Sequence, residues 1–188
     1  DFGLTLGETR SPIPYFKLVD GEFRAEYQRS WFGGFDAALE ALDATWRFEA
    51  VYNRRTPVTR VDTTYDTVPA WGWGAGVEFH PGDGDTRINL QLAGVDLMDT
   101  PRIMDRNHVL NFNGAVSMPF AHNRWQADLR FFVGLDESDT YLNPKVCFVG
   151  WEPHELYMSV HWFDGEGTTL GGFYKDNAML NFGWRATF

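Results

Sequence analysis

A chain of 188 residues is enough for one domain, and its net charge of −10 argues against nucleic-acid binding. Its single cysteine, Cys147, excludes an intrachain disulfide framework. Mean hydropathy is negative and no apolar run approaches the roughly 18 residues of a membrane helix, which excludes a helical membrane protein but not a barrel, whose strands dilute apolar residues one in two.

Taken in chain order, ten segments alternate with period two and read as strands. The first is short, with Phe2, Leu4 and Leu6 against Gly3, Thr5 and Gly7. The second sets Trp31, Gly33, Phe35, Ala37 and Leu39 against Ser30, Gly34, Asp36 and Ala38, and its parity extends back to Arg24, Glu26 and Gln28. Next come Trp46, Phe48, Ala50 and Tyr52, then Trp71, Trp73, Ala75, Val77 and Phe79, then Ile88, Leu90 and Leu92. Leu110, Phe112, Gly114 and Val116 follow, then Trp125, Ala127, Leu129, Phe131 and Val133. The last three apolar faces are Leu142, Val146 and Phe148; Leu156, Met158, Val160 and Trp162; and Leu180, Phe182, Trp184, Ala186 and Phe188.

The connections alternate in length. Those at 40–43, 81–86, 119–123 and 150–153 are uniformly short. Those at 10–21, 54–69, 96–107 and 165–176 are long, with 136–139 the exception. Short periplasmic turns and long outer loops are the asymmetry of an outer-membrane barrel. Trp31, Trp46, Trp71, Trp125, Trp162 and Trp184 lie at or near strand ends, where an aromatic girdle sits. The competing fold is a soluble sandwich or lipocalin-like barrel with its apolar face turned inward. Against it stands the scarcity of lysine, which is confined to Lys17, Lys145 and Lys175.

The expected fold is therefore all-β: a transmembrane antiparallel up-and-down β-barrel over residues 1–188, with ten strands in this chain, or the C-terminal part of a larger barrel. Its expected lumen-lining residues are Arg24, Glu26, Asp36, Arg47, Glu49, Glu78, Arg87, Asp128, Arg130, Lys145, Glu155 and Arg185. The cations and carboxylates among them balance, so they can pair in a confined interior. Arg47 is expected to fork onto Glu49 or Glu78, with Arg87 near the periplasmic end of its strand and outside that group. Two functional readings compete: a polar conduit, and a barrel closed by its own salt bridges.

An outer-membrane hydrolase is the third reading. His161 and Asp164 near one strand end, with Ser159 two residues before, are its candidate groups. A lumen histidine and a turn aspartate account for them more simply. Asp83 and Asp85 in PGDGDT resemble part of a calcium loop without its full ligand set, and a Gly/Asp turn explains them. Cys147 has no catalytic companion in the sequence. No catalytic residue, cofactor or metal site is expected.

The closing stretch AMLNFGWRATF resembles the C-terminal assembly signal of bacterial outer-membrane barrels, with Phe182, Trp184 and Phe188 as its aromatic positions. More widely, WRFEAVY (46–52), GWGAGVEF (72–79), NPKV (143–146) and FDGEGTTLGGFYKDNAMLNFGWRATF (163–188) resemble the C-terminal part of a family of large proteobacterial outer-membrane proteins of unassigned biochemistry. Its members often occur beside RND-type exporters and lipoprotein-carrier-like proteins. The resemblance implies the outer membrane of a Gram-negative cell, additional N-terminal strands, and a role in passing or accommodating solutes or hydrophobic, lipid-like molecules. It assigns no catalytic residues. Outer-membrane lipid, the barrel-assembly machinery and other envelope transport proteins are the expected partners.

Overall fold

The computed structural model describes residues 1–11, 14–82, 84–99, 102–167 and 169–187, with the backbone alone described at 17–19. The elements in chain order are β1 (Phe2–Arg10), β2 (Tyr15–Val19), β3 (Glu22–Glu26), β4 (Arg29–Ala41), β5 (Ala44–Thr59), β6 (Tyr65–Phe79), β7 (Arg87–Leu97), β8 (His108–Phe120), β9 (Trp125–Gly134), β10 (Asp139–Trp151), β11 (His154–Gly165), α1 (Leu170–Tyr174) and β12 (Met179–Ala186). Ten strands form one antiparallel sheet in the order β1-β4-β5-β6-β7-β8-β9-β10-β11-β12. Each strand lies beside its successor in the chain, apart from the inserted β2–β3 pair, which forms a sheet of its own. The ten-strand expectation holds; closure does not. β1 and β12 stand at opposite ends of the order, and the sheet is not closed into a barrel.

By internal contacts the chain divides into two compact units, Asp1–Leu39 with Arg47–Ala75 and Ala93–Val109, and Glu40–Trp46 with Gly76–Leu92 and Leu110–Phe188.

In the first unit β1 pairs with β4 over its full length, Phe2 opposite Ala37 and Arg10 opposite Arg29. Phe2, Leu4, Leu6, Trp31, Phe35 and Leu39 share one parity, and all are exposed. The second strand starts later than its alternation suggests. Asp20 and Gly21, both at positive φ (52° and 82°), form a two-residue turn whose twist suits a hairpin, and the chain reverses there. Arg24 and Glu26 consequently lie on β3, opposite β2, and not on the ten-stranded sheet; their assignment to the lumen wall is corrected. The expected loop at 54–69 also shrinks. Val58, Thr59, Thr67 and Val68 favour extended backbone over the turn signals of Pro57 and Pro69, so β5 and β6 leave only 60–64 between them.

In the second unit the register is fixed across five strands. One apolar rung runs Phe120, Trp125, Phe148, Leu156, Trp184, and the next runs Met118, Ala127, Val146, Met158, Phe182. The tight turns place non-glycine residues in the left-handed region, which Asp43, His122 and Asn123 tolerate better than Leu42 and Ala121 do. Leu42 and Asp43 (φ 57° and 55°) close β4 onto β5, and Ala121, His122 and Asn123 (φ 51°, 58° and 58°) close β8 onto β9. Among the described residues no large side chain is fully buried, and the buried apolar residues are Val58, Val68, Ala70 and Cys147. A soluble sheet of this size would bury one face. Here Phe182 is 73% exposed.

Candidate functional site

β8 to β12 carry the polar counterpart of the apolar rungs. Alternation along Gln126–Arg130 puts Gln126, Asp128 and Arg130 on one face of β9 and Ala127 and Leu129 on the other. The register then sets Ser117 opposite Asp128, Asp128 opposite Lys145, Lys145 opposite Ser159, and Ser159 opposite Asn181. Arg130 stands opposite Asn143 on one side and Ala115 on the other.

The contacts are directional. The Gln126 amide Nε2 donates to Asp128 Oδ1 at 2.8 Å and to Ser117 Oγ at 3.1 Å. Lys145 Nζ lies 3.9 Å from Asp128 Oδ2, too far for a hydrogen bond, and 5.2 Å from the centre of the Tyr157 ring. Arg185 Nη2 reaches Glu155 Oε2 at 3.0 Å across the β11–β12 pair. At the β6–β7 hairpin, Arg87 Nη2 donates to Glu78 Oε2 at 2.7 Å, and Asn89 Nδ2 approaches the same oxygen at 3.4 Å. Arg87 therefore does join the paired charges, because its long side chain reaches back across the hairpin from the first residue of β7. Arg87, Asn89, Ser117, Asp128, Arg130 and Lys145 are among the residues that line an open recess of ≈ 420 Å³.

The remaining expected lumen residues fall elsewhere. Arg47 and Glu49 share one face of β5 in the first unit, and Asp36 lies opposite Gly3 on the β1–β4 pair. Arg24 sits 4.0 Å from Glu22 on the exposed β2–β3 hairpin, and Glu26 is opposite Tyr15 there. Of the residues of the expected assembly signal, Phe182 and Trp184 are exposed on β12, with the Trp184 indole donating to His154 Nδ1 at 3.3 Å. Phe188 lies outside the described residues, as does Asp83.

Of the candidate hydrolytic groups, Ser159 and His161 lie two apart on one face of β11, and His161 and Asp164 make separate contacts. His161 Nδ1 is paired with the Tyr141 hydroxyl at 2.8 Å, whereas Asp164 Oδ1 accepts the Gly165 N–H at 3.0 Å. Three residues apart on one strand, their side chains leave from opposite faces. Asp85 accepts from the Asn123 amide at 3.3 Å. Among the described residues no three His, Cys, Asp or Glu side chains converge as a metal site.

One polar centre has no sequence signal. Asp139, at 6% exposure, accepts the Gly171 N–H at 2.6 Å, and the equally buried Thr169 donates to the Ser138 carbonyl and accepts the Gly172 N–H. Together they fasten α1 to the start of β10. Asp139 reads as a loop residue in the sequence, and nothing local links it to a glycine 32 positions away.

The chain matches no protein-family model, no curated protein and no solved structure.

Proposed function

We propose that the chain is a portion of an outer-membrane β-barrel that passes or accommodates solutes or lipid-like molecules. The observation that carries this reading is the two-faced sheet. One face presents register-matched rows of Trp, Phe, Leu and Met with no protein cover, and the other presents paired charges, amides and hydroxyls. In water the first face costs about 25 cal/mol for each Å² left exposed, and a bilayer removes that cost. The row Phe120, Trp125, Phe148, Leu156 and Trp184 crosses five strands beside the short turns, as an interfacial girdle does. A bilayer tolerates no open sheet edge, so β1 and β12 must find partners there. Further strands of a larger barrel would satisfy both, in keeping with the resemblance to longer outer-membrane proteins.

Two measurements test the reading. In a Cys147→Ser background, Val61→Cys on the 60–64 connection should react with an impermeant thiol reagent on intact cells, and Leu42→Cys only after the outer membrane is opened. Both positions are well exposed, so protein burial does not confound the result. Equal labelling of both on intact cells overturns a membrane-spanning sheet of this orientation. Protein extracted from native membranes should then conduct in planar bilayers. A silent protein with the expected labelling favours the closed lumen, for which the Arg87–Glu78 and Arg185–Glu155 pairs are the supporting observation.

A further inference from the structure

The recess beside β9 and β10 is a local positive site on an acidic chain, and we propose that it binds an oxyanion, a phosphate or carboxylate. The inference rests on the proposed function only in taking this face as the aqueous one. Three cations line the recess, and their engagement differs. Arg87 is committed to Glu78 at 2.7 Å. Arg130 has no hydrogen bond or ion pair to any described residue, although a guanidinium offers five donors. Lys145 reaches Asp128 only at 3.9 Å, while Gln126 takes the other oxygen of that carboxylate at 2.8 Å. One carboxylate thus stands between two cations with spare donors.

Geometry places those donors together. Asp128 and Arg130 are two apart on one face of β9, and Lys145 is opposite Asp128 on β10, so Arg130 and Lys145 are diagonal neighbours. A guanidinium offers two parallel N–H groups to an oxyanion, and an ammonium adds a point charge beside it. Ser117, across from Asp128, can turn its hydroxyl proton toward the same ligand. Asp128 opposes binding, because it lends the site a negative charge and draws on Lys145. That opposition supplies the sharpest test.

Calorimetric titration of the folded protein, in micelles of an uncharged detergent, would use inorganic phosphate and dodecyl phosphate, with dodecyltrimethylammonium as the cationic control. Both anions, or dodecyl phosphate alone, should bind; the latter result identifies a lipid-like source and the former a free oxyanion. Arg130→Gln should weaken binding about tenfold, as expected for loss of one charge-assisted fork. Asp128→Asn should tighten it, an outcome that damaged structure does not produce. Unchanged affinity in Arg130→Gln, weaker affinity in Asp128→Asn, or equal binding of the cationic control overturns the site. Conductance separates this from the proposed function: a silent protein with the Arg130/Asp128 pattern keeps the site and loses passage, and a conducting protein without the pattern does the reverse.

Discussion

Two pairs of connections are tied together by aspartates, and the ties are made differently. In the second unit Asp139 is buried and accepts a backbone N–H from α1, with Thr169 bonded to Ser138 and Gly172 alongside. In the first unit Asp105, on the connection before β8, accepts the Thr59 N–H at an exposed site. Main-chain bonds from Met104 to Thr59 (2.7 Å), Val61 to Arg102 (3.1 Å) and Met98 to Pro69 (2.8 Å) surround it. The first tie rests on two buried side chains, Asp139 and Thr169, which water does not reach, with one main-chain bond beside them from the Glu166 N–H to the Ser138 carbonyl at 3.0 Å. The second is spread over several backbone bonds that water can partly replace. The same residue type should therefore matter to very different degrees.

The largest effect is expected at Gly171. A methyl group there would fall on the Asp164 carbonyl oxygen and within 2.8 Å of Asp139 Oδ1. Neither neighbour is the free end of a flexible chain, so α1 must move. Gly171→Ala should cost about 1–3 kcal/mol, the usual range for forced overpacking, read as the unfolding midpoint in urea. Asp139→Ala should cost a similar 1–3 kcal/mol or so by stranding the Gly171 N–H, and Asp139→Asn less, since one acceptor oxygen survives. If Asp139→Ala unfolds at the parent's midpoint, the buried tie is not stabilising and the comparison fails.

Asp105→Ala should be much milder, about 0.5–1 kcal/mol, because the Thr59 N–H can turn to solvent and the neighbouring main-chain bonds remain. A loss as large as that of Asp139→Ala would mean that the exposed tie nucleates its whole connection.

How far the sequence discloses this depends on the distance over which each feature is encoded. Strand faces are encoded every second residue, so the parity of Trp125–Val133 or Leu156–Trp162 is legible. The β2–β3 hairpin is less so, because the alternation of Arg24, Glu26 and Gln28 runs without a break into β4. Only Asp20-Gly21 marks the reversal, and in sequence it is equally at home in the 10–21 connection. Closure is illegible, since no local pattern states whether β1 meets β12. The site divides the same way. The inward parity of Asp128, Arg130 and Lys145 follows from alternation, but who pairs with whom follows from register, which the turns fix. Arg87 shows the gap: its position near a strand end suggests isolation, and the hairpin returns it to Glu78. Asp139 and Gly171 lie beyond any local rule.

The smallest effect sharpens the comparison at the first unit's 60–64 connection. Asp62 accepts both the Thr64 hydroxyl and the Thr64 N–H, the latter at 3.0 Å, closing a turn in which Thr63 has φ 65°. The side-chain bond from Thr64 is the largest influence, followed by its backbone N–H, and together they hold the Asp62 carboxyl below its ordinary value of 3.8. A carboxyl depressed by folding adds stability that is fully present above its unfolded pKa and is lost as pH falls through its folded pKa. The window is therefore below pH 3.8. At neutral pH Asp62→Ala should unfold slightly earlier than the parent, and the difference should close as pH falls through that window. The side chain is fully exposed, so the difference should be smaller than that of Asp105→Ala. A gap that stays constant from pH 6 to pH 2 would show that the turn is held by its backbone alone and that the carboxylate merely decorates it.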